Sequence, residues 1–281
     1  MAYREASGGE RAGLVLDGRV HPLDPPDMLS FIRQGAPAVD AARGLAASAP
    51  PGGIALDEVR VLAPITHPVR NIVCVGLNYL DHVAEARAGA EAPKFPVFFT
   101  KPPQTVIGPE DEIPWHGHVS TMIDWEAELA VIIGREGRDI SEDQAPGHVF
   151  GYTVANDVTA RDLQGKHQQW YKGKGLDGFC PLGPAVVTAD EIGDPQRLEI
   201  SLRVNGVEKQ HSNTRHMIFS VAKLIAAWSA GMTLLPGDIL LTGTPSGVGV
   251  GRKPPEWLKP GDAVEAEVEG IGVLRNTVGG R

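Results

Sequence analysis

A β-rich α+β fold is what this chain predicts, and three observations predict it. Gly 34 and Pro 23 in 281 residues are high counts, suited to many turns and short strands rather than to long helices. The apolar runs are mostly short and bounded by Gly, Pro, Asn or Asp. One segment, "SVAKLIAAWSAGM", stands out as a helix, with apolar residues at helical spacing and a glycine at its end. Many strands and few helices point to a sandwich, roll or barrel with peripheral helices.

The elements follow in chain order. "AGLVLDGRVHPL" alternates around Asp17-Gly18, a two-residue hairpin signal. "DPPDMLSFIRQ" reads as a short helix with prolines at its start. Ala63 to Arg70, "APITHPVR", holds two prolines and no periodicity, so a boundary is placed there. It divides a small N-terminal α+β domain, residues 1–68, from a main domain, residues 69–281. Ile72 to Val75 reads as a buried strand broken at Gly76, and Leu80 to Ala88 as a short helix. "FPVFFTKP", "ELAVIIG" and "FGYTVANDVT" are strands, the first ended by Pro102. "PLGPAVVTADEI" and "LEISLRVNGVEKQ" continue the β pattern, with a turn at Asn205-Gly206. After the clear helix, "DILLTGTPSGVG" and "DAVEAEVEGIGVLRNTV" close the chain as strands.

Composition narrows the function. Hydrophobic content of 42% and charged content of 22% are those of a globular protein. A net charge of −9 with no Lys/Arg cluster argues against a nucleic-acid partner. No apolar run has the length of a membrane span, and "MAYREASGGERAG" lacks the apolar core of a signal peptide, so no membrane partner is expected. Cys74 and Cys180, both among apolar residues, read as buried thiols. A cytoplasmic location is the default expectation.

The chemistry concentrates in "IDWEAELAVIIG". Glu126 and Glu128 stand two apart at the head of an apolar strand, so in a strand they share a face. Two like charges there repel, and burying either alone is costly. A cation between them resolves both difficulties. Asp157, at the polar end of the apolar strand in "VANDVTARD", is the best third ligand, with Asp124 and Asp162 as rivals on spacing. Three carboxylates without Cys or suitably spaced His favour a hard cation: Mg²⁺ first, with Mn²⁺ or Ca²⁺ admissible. Solvated acids at strand ends are the competing explanation. His82 and Glu85 lie three apart, a spacing that lets a carboxylate orient an imidazole as general base, though a surface His with a helical neighbour has the same spacing. His116 and His118 form an H-x-H of the kind found in zinc half-sites. His211 and His216 have no partner that the sequence names.

Six segments in this order, "GLNYLDHVAEA", "FFTKP", "DWEAELAVIIG", "NDVTARDLQ", "GKGLDGFCPLGP" and "LLTGTPSGVG", resemble the fumarylacetoacetate hydrolase superfamily over roughly Asn71 to Val278. The late segments look closest to its FAH-domain-containing 2 type and to its bacterial diketo-sugar-acid hydrolases. The resemblance implies a mixed β-sandwich roll with a small N-terminal domain, usually a homodimer. It implies Mg²⁺ or Mn²⁺ on Glu126, Glu128 and Asp157, and a lid whose His82–Glu85 pair activates water. It assigns Lys174 to an enolate-stabilising role, although on chemistry alone Lys172 is an equal candidate. Arg161, Gln164, Lys101 and Thr244 match positions lining the substrate pocket, Arg161 as a clamp on a carboxylate or, alternatively, paired with an acid of the chain. The H-x-H is not used in the family and reads as a loop. The two departures are Gly175, where many members carry Ser, and "KHQQWYKGKG", a substrate-facing loop.

The implied partner is a small 2-oxo acid. The leading expectation is a hydrolase of C–C bonds in 2,4-diketo acids, passing through a metal-bound pyruvate enolate. The same enolate chemistry serves oxaloacetate tautomerisation or decarboxylation, or isomerisation of an unsaturated keto acid. A non-catalytic metal-binding member is the remaining alternative.

Overall fold

The computed structural model describes residues 1–6, 8–48, 51–86 and 91–280. Two mixed sheets pack face to face and form the sandwich roll. The larger has seven strands in the order Val97–Lys101, Ile72–Gly76, Ile239–Leu241, Ala127–Ile133, Val149–Asn156, Cys180–Thr188, Val106–Ile107. The other has five, in the order Val207–Asn213, Glu199–Val204, Ala263–Val268, Gly272–Val278, Glu112–Ile113. A third, all-antiparallel sheet of five strands belongs to the first 62 residues.

Alternation explains why the strand Ala127–Ile133 is apolar throughout. Leu129, Val131 and Ile133 enter the core shared with Ile200, Leu202, Val264 and Leu274 of the second sheet. Ala130 and Ile132 point the other way, into a core with Ile72, Cys74 and Leu241 that also takes in Ile32, Ala63 and Ile65 from the N-terminal region. A strand covered on both faces has no water-facing positions, so its sequence shows a continuous apolar run. Glu126 and Glu128 share the parity of Ala130, which sets them on the face turned away from the sandwich core.

Turn chemistry sets the register elsewhere. Asn205 and Gly206 have φ of 51° and 75°, as a type I′ turn requires, and join Glu199–Val204 to Val207–Asn213. The predicted late helix is Val221–Ser229, with Ser220 Oγ accepting from the Lys223 amide at 3.2 Å. Ser220→Ala removes that cap and lowers stability by about 1 kcal/mol in a urea melt; no change at all is the outcome that contradicts the capping role.

Some expectations need correction. The longest helix among the described residues, Ala36–Ala47, went unread; it buries only Ala38 and Ala42, so its apolar stripe is narrow. "TADEI" is not a strand end but the helix Ala189–Ile192, started by a Thr188/Glu191 capping box. In "DILLTGTPSGVG" only Ile239–Leu241 is a strand, and the rest is a loop over the site. The early helix runs Leu80–Ala86; its expected end at residues 87 and 88 lies outside the described residues. Cys74 and Cys180 are buried free thiols, Cys180 pushed up to about 12 by burial and Cys74 pushed well above the thiol range, again by burial first. Among the described residues no helix is long and apolar enough to cross a membrane.

Candidate functional site

Antiparallel pairing builds the acidic centre. Ala127 stands opposite Asn156, and the Asp157 amide donates to the Glu126 carbonyl at 2.9 Å, so Asp157 comes level with Glu126. Glu126 itself lies just before the strand, in a two-residue break after Ile123–Asp124. Side chains replace the missing ladder bonds there: Asn156 Oδ1 accepts from the Glu126 amide at 3.0 Å and Gln210 Oε1 from the Ala127 amide at 2.9 Å. Glu126, Glu128 and Asp157 are buried, and each offers an oxygen within 4.8 Å of the others. The two rival acids are committed elsewhere. Asp162 accepts from Ser120 Oγ, and Asp124 takes the amides of Trp125, Gly249 and Val250.

Cations are threaded through this cluster. Lys174 Nζ lies 2.7 Å from both Glu126 Oε2 and Asp157 Oδ2, with 2% of its side chain exposed, whereas Lys172 is exposed. That geometry separates the two lysines that chemistry alone left equal. Lys101 Nζ lies 2.5 Å from Asp157 Oδ1 and donates to the Val158 carbonyl at 3.1 Å. Lys101 is fully buried behind Asp157 and does not line the cavity, unlike the substrate-lining position expected of it. It ends the strand Val97–Lys101, and its charge is spent on Asp157 and the Val158 carbonyl. Arg161 Nε pairs with Asp124 Oδ2 at 2.7 Å, its Nη1 donates to Gln164 Oε1 at 3.1 Å, and its Nη2 lies 2.6 Å from Glu126 Oε1 but off the hydrogen-bond axis.

Among the described residues, Glu128 is the acid of the cluster without a cationic partner. Its polar partner is the Gly243 amide, at 2.6 Å. Gly243 holds φ of 98°, and a Cβ there would sit 2.8 Å from Asn78 Cβ, so only glycine lets the backbone reach Glu128. Asn78 secures the same corner, donating to the carbonyls of Phe219 and Thr242 and accepting from the Phe219 amide. The charges respond accordingly. Burial pushes the Glu126 carboxyl up, but Lys174, Arg161 and His82 outweigh it and hold the group down at about 2. Burial first, then Asp157 and Glu126, push Glu128 well above the carboxylate range. Burial favours loss of the Lys174 proton, yet Asp157 and Glu126 prevail and its pKa is raised, so Lys174 is a fixed cation.

This imbalance is the test of fit for a metal. Among the described residues, Glu126, Glu128, Asp157 and Asp124 are set against three cations, Lys101, Lys174 and Arg161. The remaining negative charge rests on Glu128, among oxygens spaced for one ion. A hard divalent cation fits that donor set, and the protonated acid is the metal-free substitute.

The acids open onto a cavity of about 330 Å³. Glu126, Glu128, Lys174, Arg161 and Gln164 line it, together with Thr244 and His82. Asp157 is fully buried beneath. Thr244 Oγ1 is tied to the Ala127 carbonyl at 2.9 Å, which holds the loop after Ile239–Leu241 to the Glu strand. His82 Nδ1 lies 3.4 Å from Glu85 Oε2, and the Glu85 carboxylate also accepts from the Gly247 amide at 3.0 and 3.1 Å. Glu85 therefore fastens the helix Leu80–Ala86 to the loop as well as facing His82. His116 accompanies His118 at 6.3 Å between ring centres and contacts the Asp177 carbonyl, with no third ligand among the described residues. His211 faces Glu199 and Glu208 on the paired strands Glu199–Val204 and Val207–Asn213. Sequence reasoning missed Asn78, Gln210 and the anchoring role of Asp124; Asn78 lies in "GLNY", a segment already singled out, but an amide's partners cannot be read from its neighbours in sequence.

A family profile described as fumarylacetoacetate (FAA) hydrolase C-terminal matches residues 71–279. Oxaloacetate tautomerase YisK of Bacillus subtilis is 48% identical over 224 residues, 80% of this chain and 74% of that protein. The human mitochondrial oxaloacetate tautomerase FAHD2A is 45% identical over 273 residues, 96% of this chain and 85% of that one. Among solved structures, a fumarylacetoacetate hydrolase from Exiguobacterium antarcticum superposes with a TM-score of 0.85 at 41% identity, covering 100% of this chain and 99% of that chain. Maleylpyruvate hydrolase from Sphingobium sp. SYK-6, in complex with manganese(II) and pyruvate, gives 0.79 at 30% identity, with 99% of each chain covered. From the paired strands that carry the acids to the loop that closes over them, the chain belongs to the fumarylacetoacetate hydrolase family.

Proposed function

We propose that this protein is a keto–enol tautomerase of oxaloacetate or a similarly short 2-oxo dicarboxylic acid. The observation that carries the reading is one cavity in which a fixed ammonium, a guanidinium and an imidazole converge beside three buried carboxylates. The names of the 45–48% identical relatives support the tautomerase over the diketo-acid hydrolase expected from sequence. A divalent cation held by Glu126, Glu128 and Asp157, Mg²⁺ or Mn²⁺, would supply Lewis-acid polarisation of the 2-oxo group.

The protein's own groups do the rest. Arg161 and Gln164 orient the substrate carboxylate. Lys174 spends two N–H bonds on Glu126 and Asp157 and keeps a third for the C2 oxygen as negative charge grows there. His82, its Nδ1 turned to Glu85, removes a proton from C3 through the other ring nitrogen and returns it to the C2 oxygen. The C3–H bond breaks, C2=C3 forms and C2=O becomes C2–OH; no water is consumed.

The test follows the enol absorbance of oxaloacetate with and without Mg²⁺ or Mn²⁺. We expect metal-dependent equilibration with substrate mass unchanged, lost in Glu126→Ala and slowed by about 10²–10⁴ in His82→Ala. Full activity in His82→Ala removes that residue from the proton transfer. The second reading, hydrolytic cleavage of a 2,4-diketo acid, is favoured by the His82–Glu85 pair at the same cavity and by the maleylpyruvate hydrolase likeness. Release of pyruvate from acylpyruvates, with oxaloacetate left untouched, would replace the tautomerase with it. A homodimer belongs to the proposal too, and light scattering measures it.

A further inference from the structure

One wall of the cavity has no part in the acid–base chemistry. Val75, Phe99, Trp170 and Val250 form it, beside the charged groups. Phe99 is the near part of this wall, with Lys174 Nζ 5.2 Å from its ring centre. Trp170 stands edge-on to Phe99, with ring centres 5.3 Å apart and planes at 69°. The indole is pressed onto backbone. A Cβ on Gly76 would fall 2.3 Å from Trp170 Cζ3 and 2.7 Å from Cη2. No other residue fits at position 76 while the indole keeps this place.

Trp170 is also fixed along the chain. Its carbonyl accepts from the Gly173 amide at 2.9 Å and the Lys174 amide at 3.0 Å, opening the short helix Tyr171–Lys174 that carries the site's ammonium. The glycine beneath the ring and the turn that starts at its own carbonyl set where the indole stands. The preceding residues 166–169 are exposed, whereas Trp170 is half-buried and lines the cavity.

We infer that Trp170 is a specificity-determining residue that limits this cavity to short 2-oxo acids and excludes those with a bulky group beyond C4. The inference rests on the keto-acid reading above and adds what that reading leaves open, the size class of the substrate. A carboxylate-ended four-carbon acid can span the charged floor, whereas an aryl or long acyl substituent reaching past Phe99 meets the indole. Shape selection of this kind is worth about 10- to 200-fold for each small apolar increment.

The experiment compares wild type with Trp170→Ala and Trp170→Phe in Mn²⁺ buffer. Enol absorbance gives kcat and KM for oxaloacetate, acetylpyruvate and benzoylpyruvate, and calorimetry gives Kd for pyruvate and phenylpyruvate. We expect the benzoylpyruvate-to-oxaloacetate ratio of kcat/KM to rise at least about tenfold in Trp170→Ala, mainly through KM, with Trp170→Phe intermediate. The phenylpyruvate-to-pyruvate affinity ratio should rise in parallel. Equal losses on all substrates, with both ratios constant, would mean that Trp170 only supports Lys174, and the inference is overturned. Wild type inert toward oxaloacetate defeats the tautomerase reading, but the binding ratio still decides the role of Trp170. Failure of every variant to bind either acid overturns both.

A packing control needs no substrate. Gly76→Ala in the wild type should lower the melting temperature by roughly 2–10 °C, and in Trp170→Ala by much less, because the clash is with the indole. Equal shifts in the two backgrounds contradict the wall as described.

Discussion

Lys174→Met lowers the stability of the chelator-treated protein by about 3–5 kcal/mol. It also reduces turnover by about 10²–10³ when Mg²⁺ or Mn²⁺ is restored. The stability loss comes from the partners. Lys174 Nζ lies 2.7 Å from an oxygen of each of two buried carboxylates, Glu126 and Asp157, and methionine fills similar space without charge. Lys101 still faces Asp157 and Arg161 still faces Glu126, which is why the protein should remain folded. The turnover loss comes from the third N–H of the ammonium, which methionine cannot replace. Urea melts and initial rates check the two parts separately. A change under about 1 kcal/mol together with near-normal turnover contradicts both roles.

Glu128→Gln has the opposite sign in the two metal states. In chelator the substitution is neutral or stabilising, because the amide oxygen can still accept from Gly243 and a neutral amide needs no bound proton to sit beside Asp157 and Glu126. With Mg²⁺ or Mn²⁺ present, the wild type gains about 2.7 kcal/mol at a hundredfold excess over Kd, and the variant gains little. The pH dependence in chelator follows from the raised pKa. The native carboxyl keeps its proton to higher pH than the unfolded one, so the native state binds more protons above the ordinary carboxylate range. The contribution of Glu128 is thus fully present below its unfolded pKa and is lost as pH rises through the native value. Glu128→Gln should flatten that part of the curve. Metal-induced shifts equal in both proteins would show that Glu128 is not a ligand.

Local pattern determined a good part of this protein. Asp17-Gly18 and Asn205-Gly206 mark hairpins because their turn needs positive φ at both central residues, and the structure has it at all four. The apolar run after Glu128 reads as a buried strand because both of its faces are covered. The period of two puts Glu126 and Glu128 on one face whatever lies around them. The polar end of "VANDVT" marked Asp157, because functional groups commonly stand where an apolar strand turns polar. The helix Ala36–Ala47 escaped because an alanine-rich helix that buries two alanines leaves almost no amphipathic trace. Lys101, read as pocket-lining, is fully buried and paired with Asp157, a partner from another strand that the motif by itself does not name.

What only the tertiary structure decided is how the charges are partnered. Lys174 and Lys172 are the same residue type two positions apart, and only one turns inward to the acids, along with its helix. Arg161 is drawn to Asp124 and Glu126, Glu128 is left to a glycine amide more than a hundred residues away, and Trp170 rests on Gly76. Each of these contacts joins segments brought together by the sandwich. Electrostatic interactions depend on distance and burial rather than on separation along the chain. A sequence therefore determines which groups exist and which face of a strand they occupy, while the folded sheet decides which of them meet.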